Sequence, residues 1–235
     1  MSTLQYIELS ALLSAIAAET VPADLQQQVA AYQQQLVETL AVAAQSEPAA
    51  MQWQYQVPEL GEGGACSLFG QLAAEPYDLS LILGGQTAAN QRLLSQLSVV
   101  TAFYQQHSQS NWFGIYQRRV NPQGELVLVK LSYFGAPSRA EFPLTTEFAA
   151  ISNNVTVGLS GKARIINDVP AYLALGGEYY TCDPKVLAEA CIPLFDAAQQ
   201  VTGIIDSEAF AKDMFTGQEL ALLIATALVV PTLWA

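Results

Sequence analysis

The stretch YYTCDPKVLAEACIPLFDAAQQVTGIIDSE, Tyr179 to Glu208, decides how the rest of the chain is read. It holds two short apolar runs. The first begins at Glu189 and ends at Pro193. A polar turn, Asp196 to Gln200, leads into the second, Val201 to Ile205, which is closed by Asp206 and Glu208. Two apolar runs joined by a polar turn predict a β-hairpin. Upstream, Cys182 sits in the sequence TCDP, where Pro184 blocks a regular strand and predicts a turn. Acids at the ends of such runs can converge on one concave face. A thiol and three carboxylates gathered there would make a site for a small polar molecule.

Working outward toward the C-terminus, Leu220 to Ala235 is almost wholly apolar. It is shorter than the ~20 residues of a membrane span, and Pro231 interrupts it. A buried helix packed on a sheet is expected. Upstream of the hairpin, Ala163 to Asn167 predicts a further strand, and Phe134 to Ser160 is less regular. Asn111 to Arg119 and Leu126 to Leu131 predict two strands joined by a turn at Asn121, Pro122 and Gly124. Asn90 to Gln106 predicts a helix, with Leu93, Leu97, Val100 and Tyr104 as its stripe. The order of elements predicts an α+β fold, an antiparallel sheet with helices packed on one face.

The first 85 residues read differently. Leu4 to Ala18 predicts a helix. Thr20, Val21 and Pro22 predict a break, and Asp24 to Ala44 a second helix with Leu25, Val29, Tyr32, Leu36 and Leu40 on one face. The glutamine runs at Gln26 to Gln28 and Gln33 to Gln35 fall mostly off that stripe and read as solvated surface. Ser46 to Gly85 is irregular. Its GEGG, Gly61 to Gly64, lacks the lysine and Ser/Thr of a phosphate loop and reads as a turn. Cys66 follows after Ala65, either as an accessible thiol or as a small residue tucked under the loop.

Composition narrows the function classes. Of 235 residues, 21 are acidic and 9 are Lys or Arg, a formal net charge of −12. That balance argues against nucleic acid and anionic membranes, which call for clustered cations. No basic residue precedes the first apolar stretch, so no secretory signal is expected. An odd count of cysteines without metal spacing suits a reducing cytoplasm, and no metal is expected. With His107 as the single histidine, a Ser-His-Asp triad is not expected either.

Several segments, taken in order, carry a family resemblance: NWFGIY at Asn111 to Tyr116, INDV at Ile166 to Val169, TCD at Thr181 to Asp183, AEACIP ending in Pro193, and GIIDSE at Gly203 to Glu208. Over residues 86–235 the chain resembles a GAF domain, and more narrowly the free methionine-(R)-sulfoxide reductases. Residues 1–85 are then an N-terminal, mostly helical extension with an irregular linker. The resemblance implies a catalytic Cys182, with Glu189 and Asp206 as catalytic carboxylates. It implies a substrate pocket of Trp112, Tyr116, Glu189, Asp206 and Glu208, the last standing where the family has aspartate. The implied reaction is reduction of free L-methionine-(R)-sulfoxide by a cysteine thiol, without a bound cofactor. The family's two resolving cysteines fall near Arg139 and near Asn153 or Asn154, and neither is cysteine here.

The chemistry is consistent with that set. A thiolate attacks sulfur, a protonated carboxyl gives its proton to the departing oxygen, and the thiol ends as a sulfenic acid. Crowded carboxylates resist ionising together, so one can serve as the acid while the others pair with an α-ammonium. An external reductant, thioredoxin-like or a small thiol, is expected to clear the sulfenic acid, with Cys66 the alternative resolving thiol. A homodimer is expected by analogy with similar GAF proteins. A different class of function stands beside the enzyme: a GAF module that keeps the pocket, has lost turnover and senses a small ligand.

Overall fold

The computed structural model describes residues 1–16, 23–46, 51–61, 67–177, 179 and 183–234. In chain order these form α1 (Thr3–Leu9), α2 (Leu25–Ala43), β1 (Gln54–Tyr55), β2 (Pro58–Leu60), β3 (Ser67–Leu72), β4 (Tyr77–Asp78), α3 (Leu79–Leu83) and α4 (Ala88–His107). There follow β5 (Trp112–Val120), β6 (Leu126–Phe134), β7 (Glu141–Pro143), α5 (Thr146–Ala149) and α6 (Asn153–Ser160). The chain continues through β8 (Arg164–Ile166), α7 (Val169–Ala174), β9 (Ala188–Phe195), β10 (Val201–Ala209) and α8 (Gly217–Val229).

Six strands make one antiparallel sheet in the order β7-β6-β5-β10-β9-β8. The hairpin expected from the quoted stretch lies near its middle, with Ala188 opposite Ala209 and Phe195 opposite Val201. Every residue of β9 is buried. That is why its sequence reads as a continuous apolar run rather than an alternation: both faces of the sheet are covered here.

On one face lie α1, α2, α4 and α8. Phe113, Ile115, Ile192 and Ile205 of the sheet join Leu97 of α4 and Leu220 and Leu223 of α8 in one cluster. Val29 and Leu36 of α2 are fully buried in that same cluster, and α2 lies along α8. Tyr6 of α1 donates its hydroxyl to the Pro193 carbonyl, 2.9 Å away. The early helices are therefore part of the core that supports the hairpin.

The opposite face carries a second cluster, with Trp112, Tyr116, Leu128, Cys191 and Ile204 under Val155 and Val157 of α6. A bulge shapes this face. Ile115 pairs with Ser132 but Tyr116 pairs with Lys130, so Leu131 is an extra residue in β6. In a regular strand residues three apart point to opposite faces. The bulge puts Lys130 and Tyr133 on the same face, with Lys130 Nζ 4.0 Å from the Tyr133 ring centroid.

Three expectations change. The first helix ends at Leu9, not Ala18: Ser10 Oγ donates to the Tyr6 carbonyl at 2.7 Å, and Ala11 takes a left-handed φ of 51°. The described residues between Ser46 and Gly85 form four short strands and α3, in which Pro58, Pro76 and the glycines had hidden any period. Phe134 to Ser160 holds β7, α5 and α6, so helices cover both faces of the sheet. Thr20, Val21 and Pro22 lie outside the described residues.

Candidate ligand-binding and active site

The second face of the sheet floors a cavity of about 230 Å³. Trp112, Tyr116, Glu189, Asp206 and Glu208, all named from the sequence, line it together. Strand register brings them there. Glu208 pairs with Trp112 on one side and Glu189 on the other, while Asp206 pairs with Gly114 and Cys191. Residues directly opposite share a face, so Glu189, Glu208 and Asp206 stand as neighbours. Cys182 and Cys66 lie outside the described residues. Their sequence neighbours Asp183 and Ser67 both line the cavity. The described cysteine, Cys191, is fully buried beside the floor and does not line it.

Trp112 has a prepared seat. A Cβ at Gly114 would lie 2.4 Å from the indole Cη2, and one at Gly135 would lie 2.6 Å from Cδ1. Glycine at both positions lets the ring lie flat over the strand. Trp112 Nε1 donates to the Ala136 carbonyl at 3.0 Å.

The acids are buried among like charges. Burial raises the Glu189 carboxyl above its ordinary range, against hydrogen bonds from Tyr179 and Asn153 that favour the charged form. Asp206 is pushed well up, by burial first and then by the charge of Glu189. Glu208 is raised by burial, then by Asp206, Glu189 and Asp183, with Lys130 pulling the other way. Coupled acids of this kind do not all ionise near neutral pH. Burial and the charges of Asp206 and Glu189 also hold Cys191 well above a normal thiol, so it stays protonated.

Two residues that went unnamed as site groups turn out to order the acids. Asn153 Nδ2 donates to Glu189 Oε1 at 3.0 Å, and Asn154 Nδ2 donates to Asp206 Oδ2 at 2.9 Å. Both sit in the first turn of α6, whose N-cap is Ser152 and whose C-cap is Gly161. The Ser-Asn-Asn start before an apolar run was the available signal. Among the described residues, the remaining oxygens, Asp206 Oδ1 and Asn154 Oδ1, are buried and have no hydrogen-bond partner. Two orphan acceptors side by side call for a donor from a ligand.

The N-terminal segment completes the walls. Pro58 of β2 and Gly70 and Leu72 of β3 line the cavity. Behind Trp112, Tyr55 of β1 donates to the Lys130 carbonyl at 2.7 Å, and the Lys130 ammonium is enclosed by Tyr55, Tyr133 and Trp112. Lys130 Nζ donates to the carbonyl and hydroxyl of Ser138. Among the described residues, no His, Cys, Asp and Glu side chains are grouped so as to hold a metal ion. Among the same residues, no helix is long and apolar enough to cross a membrane.

No family model matches the sequence, and no curated protein does. Solved structures do. A type II free methionine-R-sulfoxide reductase from Thermoplasma acidophilum shares 18% identity at a TM-score of 0.52, covering 62% of this chain and 94% of that one. The fold is GAF-like. A protein described as a GAF sensor, from Burkholderia vietnamiensis, shares 15% identity at a TM-score of 0.51, covering 92% of this chain and 94% of its own. The GAF-like fold is thus shared with an enzyme and with a protein described as a sensor. Likeness of fold does not choose between them.

Proposed function

We propose that the cavity binds free L-methionine-(R)-sulfoxide and that Cys182 reduces it. The observation that carries this reading is the pair of orphan acceptors, Asp206 Oδ1 and Asn154 Oδ1, beside the seated Trp112. An α-ammonium supplies the donors those oxygens lack. The Trp112 face suits a methyl group on polarised sulfur. A neutral carboxyl among Glu189, Asp206 and Glu208 supplies the proton.

In the reaction the Cys182 thiolate attacks the sulfoxide sulfur, forming an S–S bond while the protonated oxygen leaves as water; water then attacks the cysteine sulfur, the S–S bond breaks and the thioether departs. The substrate sulfur gains two electrons and becomes a thioether. Cys182 loses two and becomes a sulfenic acid. One external thiol condenses with it, releasing water, and a second frees the mixed disulfide.

One observation favours the second reading, a ligand-binding sensor. The places where the resemblance puts resolving thiols hold Arg139 and the Asn153–Asn154 pair, which line the cavity and, in the asparagines, bond its acids. The deciding assay follows loss of free methionine-(R)-sulfoxide with dithiothreitol as reductant, in the parent protein and in Cys182→Ser. Turnover in the parent, abolished in Cys182→Ser with ligand binding retained, is the expected result. Binding without turnover in either protein would establish the sensor. Equal turnover in both would remove Cys182 from the chemistry.

A further inference from the structure

The glycine seat explains how Trp112 fits over its own strand. What the indole leans on comes from β6. The Tyr133 ring is stacked near it, with centroids 6.5 Å apart and planes 28° apart. Lys130 Nζ lies 5.8 Å from the indole centroid and 4.0 Å from that of Tyr133. Both side chains share this face because of the extra Leu131. A bulge breaks the regular ladder and leaves backbone groups to be bonded from elsewhere. At this bulge the Lys130 carbonyl accepts from the Tyr55 hydroxyl at 2.7 Å. Tyr55 is 5% exposed, and its ring centroid lies 5.3 Å from that of Tyr133 and 4.9 Å from Lys130 Nζ. Tyr55 is fixed in turn by β4. It pairs with Tyr77, the two ring centroids are 5.6 Å apart, and the Tyr77 hydroxyl donates to Glu141 of β7. One phenol from the N-terminal segment therefore meets the backbone, the ammonium and the ring that the bulge brings behind the indole. Buried polar groups satisfied in this way specify a single arrangement.

We infer that Tyr55 is a positioning residue for the ligand site. Its hydroxyl fixes the bulge in β6, the bulge sets Lys130 and Tyr133, and these hold the indole plane against which the ligand lies. Tyr55 itself does not line the cavity, so it acts on the ligand through Trp112. This rests on the amino-acid reading of the cavity, which puts the sulfur end of the ligand on the Trp112 face, and it makes the N-terminal segment a determinant of affinity as well as a wall.

The test uses Tyr55→Phe, which removes one oxygen and keeps the ring, and has two readouts. The first is hydrogen exchange of indole N–H groups, followed by NMR in the ligand-free protein. Exchange at Trp112, bonded to the Ala136 carbonyl, is expected to quicken about 5-fold or more in Tyr55→Phe, the scale of one net hydrogen bond. The Trp234 indole, bonded to Thr202, is the internal reference and is expected to keep its rate. The second readout is calorimetry with L-methionine-(R)-sulfoxide on the Cys182→Ser background, which prevents turnover. Tyr55→Phe is expected to bind about 5-fold more weakly, and that loss is expected to vanish on a Trp112→Phe background. Equal quickening at both indoles would mean a general loss of stability and overturns the assignment, as does no quickening at Trp112. Unchanged affinity in Tyr55→Phe overturns it too, and so does an affinity loss of the same size with and without Trp112→Phe. If the Cys182→Ser parent binds no methionine sulfoxide, the amino-acid reading itself falls, and the indole exchange still decides whether Tyr55 positions Trp112.

Discussion

Asp206 concentrates the electrostatics of the cavity in one side chain. It is buried, faces Glu189, and holds its proton well above the ordinary carboxylate range. The sign of its effect on stability follows. Below about pH 4 folded and unfolded chains both carry the proton. As pH rises past that value the unfolded chain releases it and the folded chain keeps it, so folding weakens with pH until the folded group titrates. Asp206→Asn removes this contribution. Its stability relative to the parent is expected to grow as pH rises above the ordinary carboxylate range, by at most about 1.4 kcal/mol per pH unit, as read from denaturation at stepped pH. A pH-independent margin would count against a raised Asp206. Gly114→Ala tests the indole seat: a Cβ 2.4 Å from Trp112 must displace the ring, costing about 1–3 kcal/mol and the ligand affinity with it. Calorimetric affinity alongside melting would show it, and unchanged binding would mean the ring position is unimportant. At this scale the acids were legible at the ends of the hairpin's apolar runs, while Trp112 and Tyr116 came from the family resemblance. Asn153 and Asn154 escaped because asparagine is more common in turns than in sites, and only the fold shows which acids they touch.

The element that escaped with them is α6. Its NNVTVGLS is short, and its β-branched residues suppress helix propensity. What starts it is the cap: Ser152 accepts from the Val155 N–H, and the left-handed Gly161 ends it. Ser152→Ala is expected to cost about 1 kcal/mol of stability. Because the first turn carries both asparagines, ligand affinity is expected to fall with it, by roughly 3-fold or more on the same scale. A stability loss without any affinity loss would uncouple the helix start from the acids. The central hairpin was legible for the opposite reason. Each of its strands carries a short apolar run, and the two are joined by a turn of polar residues that read plainly.

At the scale of the whole molecule, the early helices cannot be treated as an appendage. Leu25, Val29 and Leu36 of α2 are buried in the cluster that also holds Leu220, Leu222 and Leu223 of α8. Removing residues 1–46 strips that face of α8. The shortened chain is expected to aggregate or melt without cooperativity, as followed by circular dichroism and sedimentation. A cooperative, monodisperse melt close to that of the full chain would show that the remainder folds alone. The α+β pattern was readable from about residue 90 onward, where elements are long. Between residues 46 and 85 it was not, since strands of two to six residues give no period to count. The bulge at Leu131 has a consequence for how such a chain can vary. Before it, even-numbered residues of β6 lie on the face of the second cluster; after it, odd-numbered ones do. The strand changes parity midway, and Lys130 and Tyr133 meet only because it does. Exchanging Leu131 for another side chain leaves the parity intact. Deleting it would turn either the lysine or the tyrosine to the wrong side, so in this strand the number of residues is more tightly constrained than their identity.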